Sequence, residues 1–201
     1  MAPHASAARH KHRVLPNPYE FLPKVPSFSL TSRTVHSGYP LPRAQWSGVL
    51  GEPGGKDESP QLSWRGFPEG TKSFVVSMYD PEAPTGSGFW HWVVANIPAS
   101  AHTLRLNAGA PGGNLLPHGA FDLDASLGVP RYIGAAPPAG SGLHYYYITV
   151  TALNEASTGA TATTSPELLG FEIGSHTLAR ATIICPTSAH SPFSRAGSHS
   201  A

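Results

Sequence analysis

The chain has 201 residues, only 12% of them charged, with a formal net charge of +1, so it offers no broad electrostatic face for nucleic acid. That length fits one domain able to bury most of its apolar surface without cross-links. A lone Cys185 excludes an internal disulfide, a cysteine-built metal site and a redox pair, and suits a reducing compartment.

The first residues, MAPHASAARHKHRV, carry positive charge, but no continuous apolar run of signal-peptide length follows them. No window approaches the ~20 apolar residues of a spanning helix. The expected location is therefore cytoplasmic, with peripheral contact to a lipid surface left open. Residues 1–27 hold Pro3, Pro16, Pro18, Pro23 and Pro26, which favours a flexible arm of extended chain over any regular element. The body is expected over residues 28–185.

Within the body, short segments rich in β-branched and aromatic residues, cut by a chain total of 21 Gly and 21 Pro, point to an all-β fold. Residues 73–79 (SFVVSMY) and 90–97 (WHWVVANI) read as strands with both faces buried, and 144–153 (HYYYITVTAL) as a third. Ser165, Pro166 and Glu167 supply a helix N-cap, a proline at the first helical position and an acid in the first turn. Gly170 and Gly174 weaken that helix, which predicts a short piece and a second turn around residues 176–181. Residues 182–185 are expected to form a strand that closes the body. The Ser-, Ala- and Gly-rich stretch 186–201 has almost nothing to bury and reads as a disordered tail.

Side chains alternate faces along a strand. In 90–97 this groups His91 with Val93, Ala95 and Ile97; in 144–153 it groups His144 with Tyr146, Ile148, Val150 and Ala152. Two strands thus each set one histidine at the lip of an apolar face. Upstream, Asp80-Pro81-Glu82-Ala83-Pro84 ends the first strand with prolines that fix the directions of two carboxylates. Acids beside imidazoles favour imidazolium, and such a cluster suits a small zwitterion, for example a phosphate bearing an amine. The loop 134–142 (GAAPPAGSG) lets backbone N–H groups approach a ligand.

Each feature alone has a plainer reading: a strand histidine is commonly a core or rim residue, D-P-E-A-P is ordinary punctuation, and the Tyr145–Tyr147 run is sheet packing with one hydroxyl free for a ligand. G-x-S-x-G, H-E-x-x-H, Walker A and G-x-G-x-x-G are all missing from the sequence. Nothing has compact metal-ligand spacing, and Cys185 reads as inert.

Three blocks carry a wider pattern: SPQLSW (59–64), SFVVSMYDPEAPTGSGFWHWVVANIP (73–98) and RYIGAAPPAGSGLHYYYITVTAL (131–153), followed by LGFEIGSHTLARATI (169–183). In their order and in the spacing of D-P-x-A-P, H-W and G-x-x-P-P…H-x-Y, they resemble the phosphatidylethanolamine-binding proteins, especially the bacterial Raf kinase inhibitor-like branch. The resemblance runs from about residue 28 to 184. It implies an antiparallel β-sandwich with a short C-terminal helical region and an anion pocket at one end. It also implies the ligand-binding residues: Asp80, Glu82, His91, Gly134, Pro137, His144 and Tyr146. Glu82 stands where the family's second aspartate is usual, Ala136 where some relatives have glycine, and LDASLG (123–128) lacks the Asn-Asp usual in bacterial relatives.

The expected function is a non-enzymatic binding protein, with no cofactor and no metal, that holds a phosphate-type anion or phospholipid headgroup. The alternative implied by the resemblance is a regulatory inhibitor of a kinase or protease, and bacterial relatives suggest a homodimer. A third reading is a hydrolase using His91 with Asp80, for which no motif positions a nucleophile.

Overall fold

The computed structural model describes residues 15–189; the expected arm before residue 15 and the tail after 189 lie outside the described residues. Among the described residues, eight strands and one α-helix follow one another as β1 (Ser29–Thr31), β2 (Leu62–Arg65), β3 (Ser73–Asp80), β4 (Phe89–Pro98), β5 (Thr103–Leu104), β6 (Phe121–Asp122), β7 (His144–Leu153), α1 (Pro166–Glu172) and β8 (Thr177–Thr187). They form a three-stranded sheet, β1-β2-β5, and a five-stranded sheet, β6-β4-β3-β7-β8. Every paired strand in both sheets is antiparallel. The all-β expectation and its antiparallel sheets are therefore what the chain adopts.

The main core fills the space between the sheets. Leu62, Trp64 and Leu104 from the small sheet meet Phe74, Val76, Met78, Trp92, Ile148 and Val150 from the large one. Each such side chain contributes roughly 1.5–3 kcal/mol by leaving water. A second cluster, with Val75, Val93, Ala95 and Leu153 at its centre, lies on the outer face of the large sheet under Leu169 and Ile173.

Strict alternation holds along β7: Tyr146, Ile148, Val150 and Ala152 all enter the main core. It fails along β4, and the failure decides where His91 points. Met78 pairs with Trp92 and the next residue, Tyr79, pairs with Trp90, so His91 is an extra residue on β4. A bulge of this kind re-aims the side chains that follow it. A second irregularity, between Phe74 and Val76, comes where Asn96 takes a φ of 55°. Trp92, Val94 and Ile97 consequently face the main core, and Val93 and Ala95 the outer cluster. The expected grouping of His91 with Val93, Ala95 and Ile97 is thereby corrected.

Two boundaries also differ. Residues 177–181 are not a second helical turn but the start of β8, where Ala179, Ala181, Ile183, Cys185 and Thr187 are buried in strict alternation. Pro186 and Thr187, expected in the tail, pair with Tyr145 and His144. At the other end, Pro18–Phe21 forms a 3-10 helix whose N-cap, Asn17, accepts a hydrogen bond from the Tyr19 amide. Tyr19 lies edge-on to Tyr147 and reaches Ser77 Oγ at 3.3 Å, so this part of the arm is packed onto the sheet. With α1 it walls a cleft of about 410 Å³ on the outer face, floored by Val75, Val93 and Thr151.

Candidate functional site

The site lies at the end of the large sheet where β3 finishes and β7 begins, on the main-core side. Asp80, the last residue of β3, and His144, the first of β7, are brought side by side by the pairing of those strands. His144 Nδ1 donates to Asp80 Oδ2 at 2.7 Å, and the two side chains are 1% and 3% exposed. Taking both groups out of water costs several kcal/mol apiece, offset only when geometry and further hydrogen bonds are good. Asp80 has such a bond, because its Oδ1 accepts the Glu82 amide at 2.9 Å. The rigid D-P-E turn thus holds the acid, and the acid holds the imidazole.

His91 comes into the same region through the β4 bulge. Its Nδ1 donates to the Ile133 carbonyl at 2.9 Å, which leaves Nε2 without a proton in the neutral ring. Complete burial pulls its pKa below the ordinary histidine value, against the opposing pull of Asp80. The Tyr146 ring lies near both histidines, 5.2 Å from His91 and 6.4 Å from His144 by ring centroids. Burial holds the Tyr146 hydroxyl well above its ordinary pKa, and the Ala136 backbone hydrogen bonds to it. The two imidazoles and Asp80 are therefore gathered around one tyrosine.

Glu82 is placed differently from Asp80. Its Oε2 accepts the Tyr145 amide at 3.0 Å, while Oε1 is buried without a hydrogen-bond partner among the described residues. Burial raises its pKa, and the neighbouring Asp80 adds to the rise. Glu82 thus ties the acid turn to β7 and keeps one oxygen unused.

Gly134 and Pro137 belong to the stretch of chain that follows Ile133, the His91 acceptor, and walls this end of the core, and both are buried. A side chain at Gly134 would overlap the Trp46 carbonyl group, so only glycine allows the two backbones to approach this closely. The wall is pinned by a residue that sequence reasoning missed. Asp57, 4% exposed, accepts from Ser47 Oγ at 2.8 Å, the Val49 amide at 2.9 Å and the Gly134 amide at 2.8 Å. Burial alone would raise its pKa, but these bonds and nearby Arg131 hold it below the usual carboxylate value.

Ser141 was also missed. Its Oγ lies 2.8 Å from His144 Nε2 and donates to the Pro138 carbonyl at 2.7 Å. A signal was present: a serine between two glycines, three residues before the histidine. The reading of His91 as the partner of Asp80 in a hydrolase is corrected, since the imidazole bonded to Asp80 is that of His144. No cluster of three or more metal-ligating side chains occurs among the described residues, and no helix among them is long and apolar enough to cross a membrane.

This architecture is that of a β-sandwich protein with a buried acid–imidazole site at one sheet end. The family model described as phosphatidylethanolamine-binding protein matches residues 31–187, and the chain belongs to that family. It is 39% identical over 163 residues to the UPF0098 protein YbcL of Escherichia coli, covering 81% of this chain and 88% of that protein. With YbhB of the same organism the identity is 41% over 154 residues, covering 77% and 96%. The crystal structure of YbcL, described as a new member of the mammalian PEBP family, is similar to this one with a TM-score of 0.77 at 38% identity, over 81% of this chain and 98% of that one.

Proposed function

We propose that this protein binds a phosphate-type anion, free or at a phospholipid headgroup, among Asp80, His91, His144 and Tyr146 beneath the loop 134–142. The observation that carries this reading is the convergence of two imidazoles on one buried tyrosine, each with its Nδ1 committed to a fixed acceptor. Orientation is thereby settled before a ligand arrives; recognition falls to His91 Nε2 and, once it is released from Ser141 Oγ 2.8 Å away, to His144 Nε2. Neighbouring carboxylates disfavour a fully ionised phosphate, so the species that fits keeps one proton on oxygen and donates it to an imidazole. An amine on the same ligand has the unused Glu82 Oε1 as an acceptor. Gly134 and Pro137 contribute shape: one permits close backbone approach and the other stiffens the wall.

Calorimetric titration with phosphate and phosphoethanolamine tests this. Charge-assisted hydrogen bonds are worth about 1.5–3 kcal/mol each, so His91→Gln or His144→Gln should weaken binding about tenfold to a hundredfold. Retention of full affinity by both variants would remove the site from consideration.

A further inference from the structure

Ser141 Oγ, His144 Nε2, His144 Nδ1 and Asp80 Oδ2 form one continuous line, with contacts of 2.8 and 2.7 Å. A hydroxyl within hydrogen-bond reach of an imidazole, itself oriented by a buried carboxylate, is the arrangement that activates a serine as a nucleophile. We infer that Ser141 is such a nucleophile, with His144 as its general base and Asp80 as the positioning residue, and that the protein cleaves small acyl esters through an acyl-serine. The inference shares the Asp80–His144 pair with the proposed anion site but does not require an anion to bind.

The surroundings suit the role. Asp80 and His144 are buried, whereas Ser141 is exposed on its loop, so an ester reaches the hydroxyl from solvent while the base stays shielded. Gly140 and Gly142 flank the serine with φ of 79° and 90°, a left-handed backbone that favours glycine, so neither neighbour carries a side chain beside the nucleophile. The Gly142 amide makes no hydrogen bond among the described residues. Following the nucleophile directly, it occupies the position from which an N–H serves a developing oxyanion in other serine hydrolases.

In the reaction, Ser141 Oγ bonds to the acyl carbonyl carbon as its proton passes to His144 Nε2. The tetrahedral adduct collapses with cleavage of the bond to the alcohol oxygen, which takes the proton from Nε2. Water then repeats the sequence on the acyl-serine, releasing the carboxylic acid and restoring the hydroxyl. The Pro138 carbonyl competes for the serine proton at 2.7 Å, so rotation of the hydroxyl towards Nε2 precedes attack.

The test uses the full chain with p-nitrophenyl acetate and a fluorophosphonate probe, followed by peptide mass analysis. The expected result is a single adduct at Ser141 and a burst of p-nitrophenol. Ser141→Ala, on an exposed loop that leaves the core intact, should lose both. Asp80→Asn should slow acylation about a hundredfold or more while leaving Ser141 in place, with thermal melting to show that it is folded. Labelling elsewhere, no labelling, or a Ser141→Ala variant as active as the parent would overturn the inference, the last because imidazole alone then accounts for the turnover. Ser141→Ala separates the two proposals: it should lose the burst and the label and still bind phosphate, because the serine is not among the residues proposed to hold the anion.

Discussion

Replacing Asp122 by asparagine isolates the cost of one buried charge beside the core. The Trp92 indole N–H donates to Asp122 Oδ1 at 2.8 Å, Trp92 is fully buried and Asp122 is 6% exposed. Burial raises the carboxyl from its ordinary 3.8 to about 6, only partly opposed by the indole bond. Because the folded value lies above the unfolded one, the stabilising contribution is complete below about pH 3.8 and is lost as pH rises through about 6. The loss over that window amounts to about 3 kcal/mol. Asn keeps the acceptor for Trp92 and carries no charge, but it adds an amide donor whose lack of a partner costs about 1 kcal/mol. Asp122→Asn should therefore be about 2 kcal/mol more stable near pH 8, which corresponds to a rise of roughly 4–8 °C in melting temperature. That advantage should fade as pH falls below about 5. Urea unfolding of both proteins across this range measures the difference. A gap that stays constant with pH, or a variant less stable near neutrality, would refute the assignment of a buried, proton-binding Asp122.

Three further outcomes follow from the site and its walls. Gly134→Ala should cost about 1–3 kcal/mol of stability through overpacking and weaken phosphate binding, because the Cβ overlaps the Trp46 carbonyl and pushes the wall off Asp57; unchanged unfolding and affinity would contradict the close approach. Ser141→Ala frees His144 Nε2 and should tighten phosphate binding about fivefold, the worth of one hydrogen bond of about 1 kcal/mol, whereas weaker binding in calorimetry would make the serine a ligand contact instead of a competitor. Cys185 is buried and its thiol is pushed up to about 12, so a disulfide reagent should modify it only as fast as the protein unfolds, and rapid modification of the native state would show that the edge of β8 opens.

The strands and the cap of α1 were legible because their signals are local: Val, Ile and aromatic runs, and Ser165 with Pro166 and Glu167. The same cap grammar stands in Asn17, Pro18 and Glu20, but the surrounding prolines drew the reading towards extended chain. His144 was placed correctly by alternation, since β7 has no irregularity before Ala152. His91 was assigned the wrong neighbours because a bulge is a property of strand pairing, and nothing in WHWVVANI alone marks the extra residue. Asp57 was invisible for a related reason. Its partners Ser47, Val49 and Gly134 come from two loops that meet only in the folded chain.

Ring-nitrogen NMR of the protein labelled with 15N-histidine, followed through a phosphate titration, tests the binding site most directly. Of the 11 histidines, those at 91 and 144, assigned by His91→Gln and His144→Gln, should move together along one saturation curve while the rest stay in place. If both rings remain still at millimolar phosphate, or if only other histidines respond, the site at the end of β3 and β7 does not hold the anion.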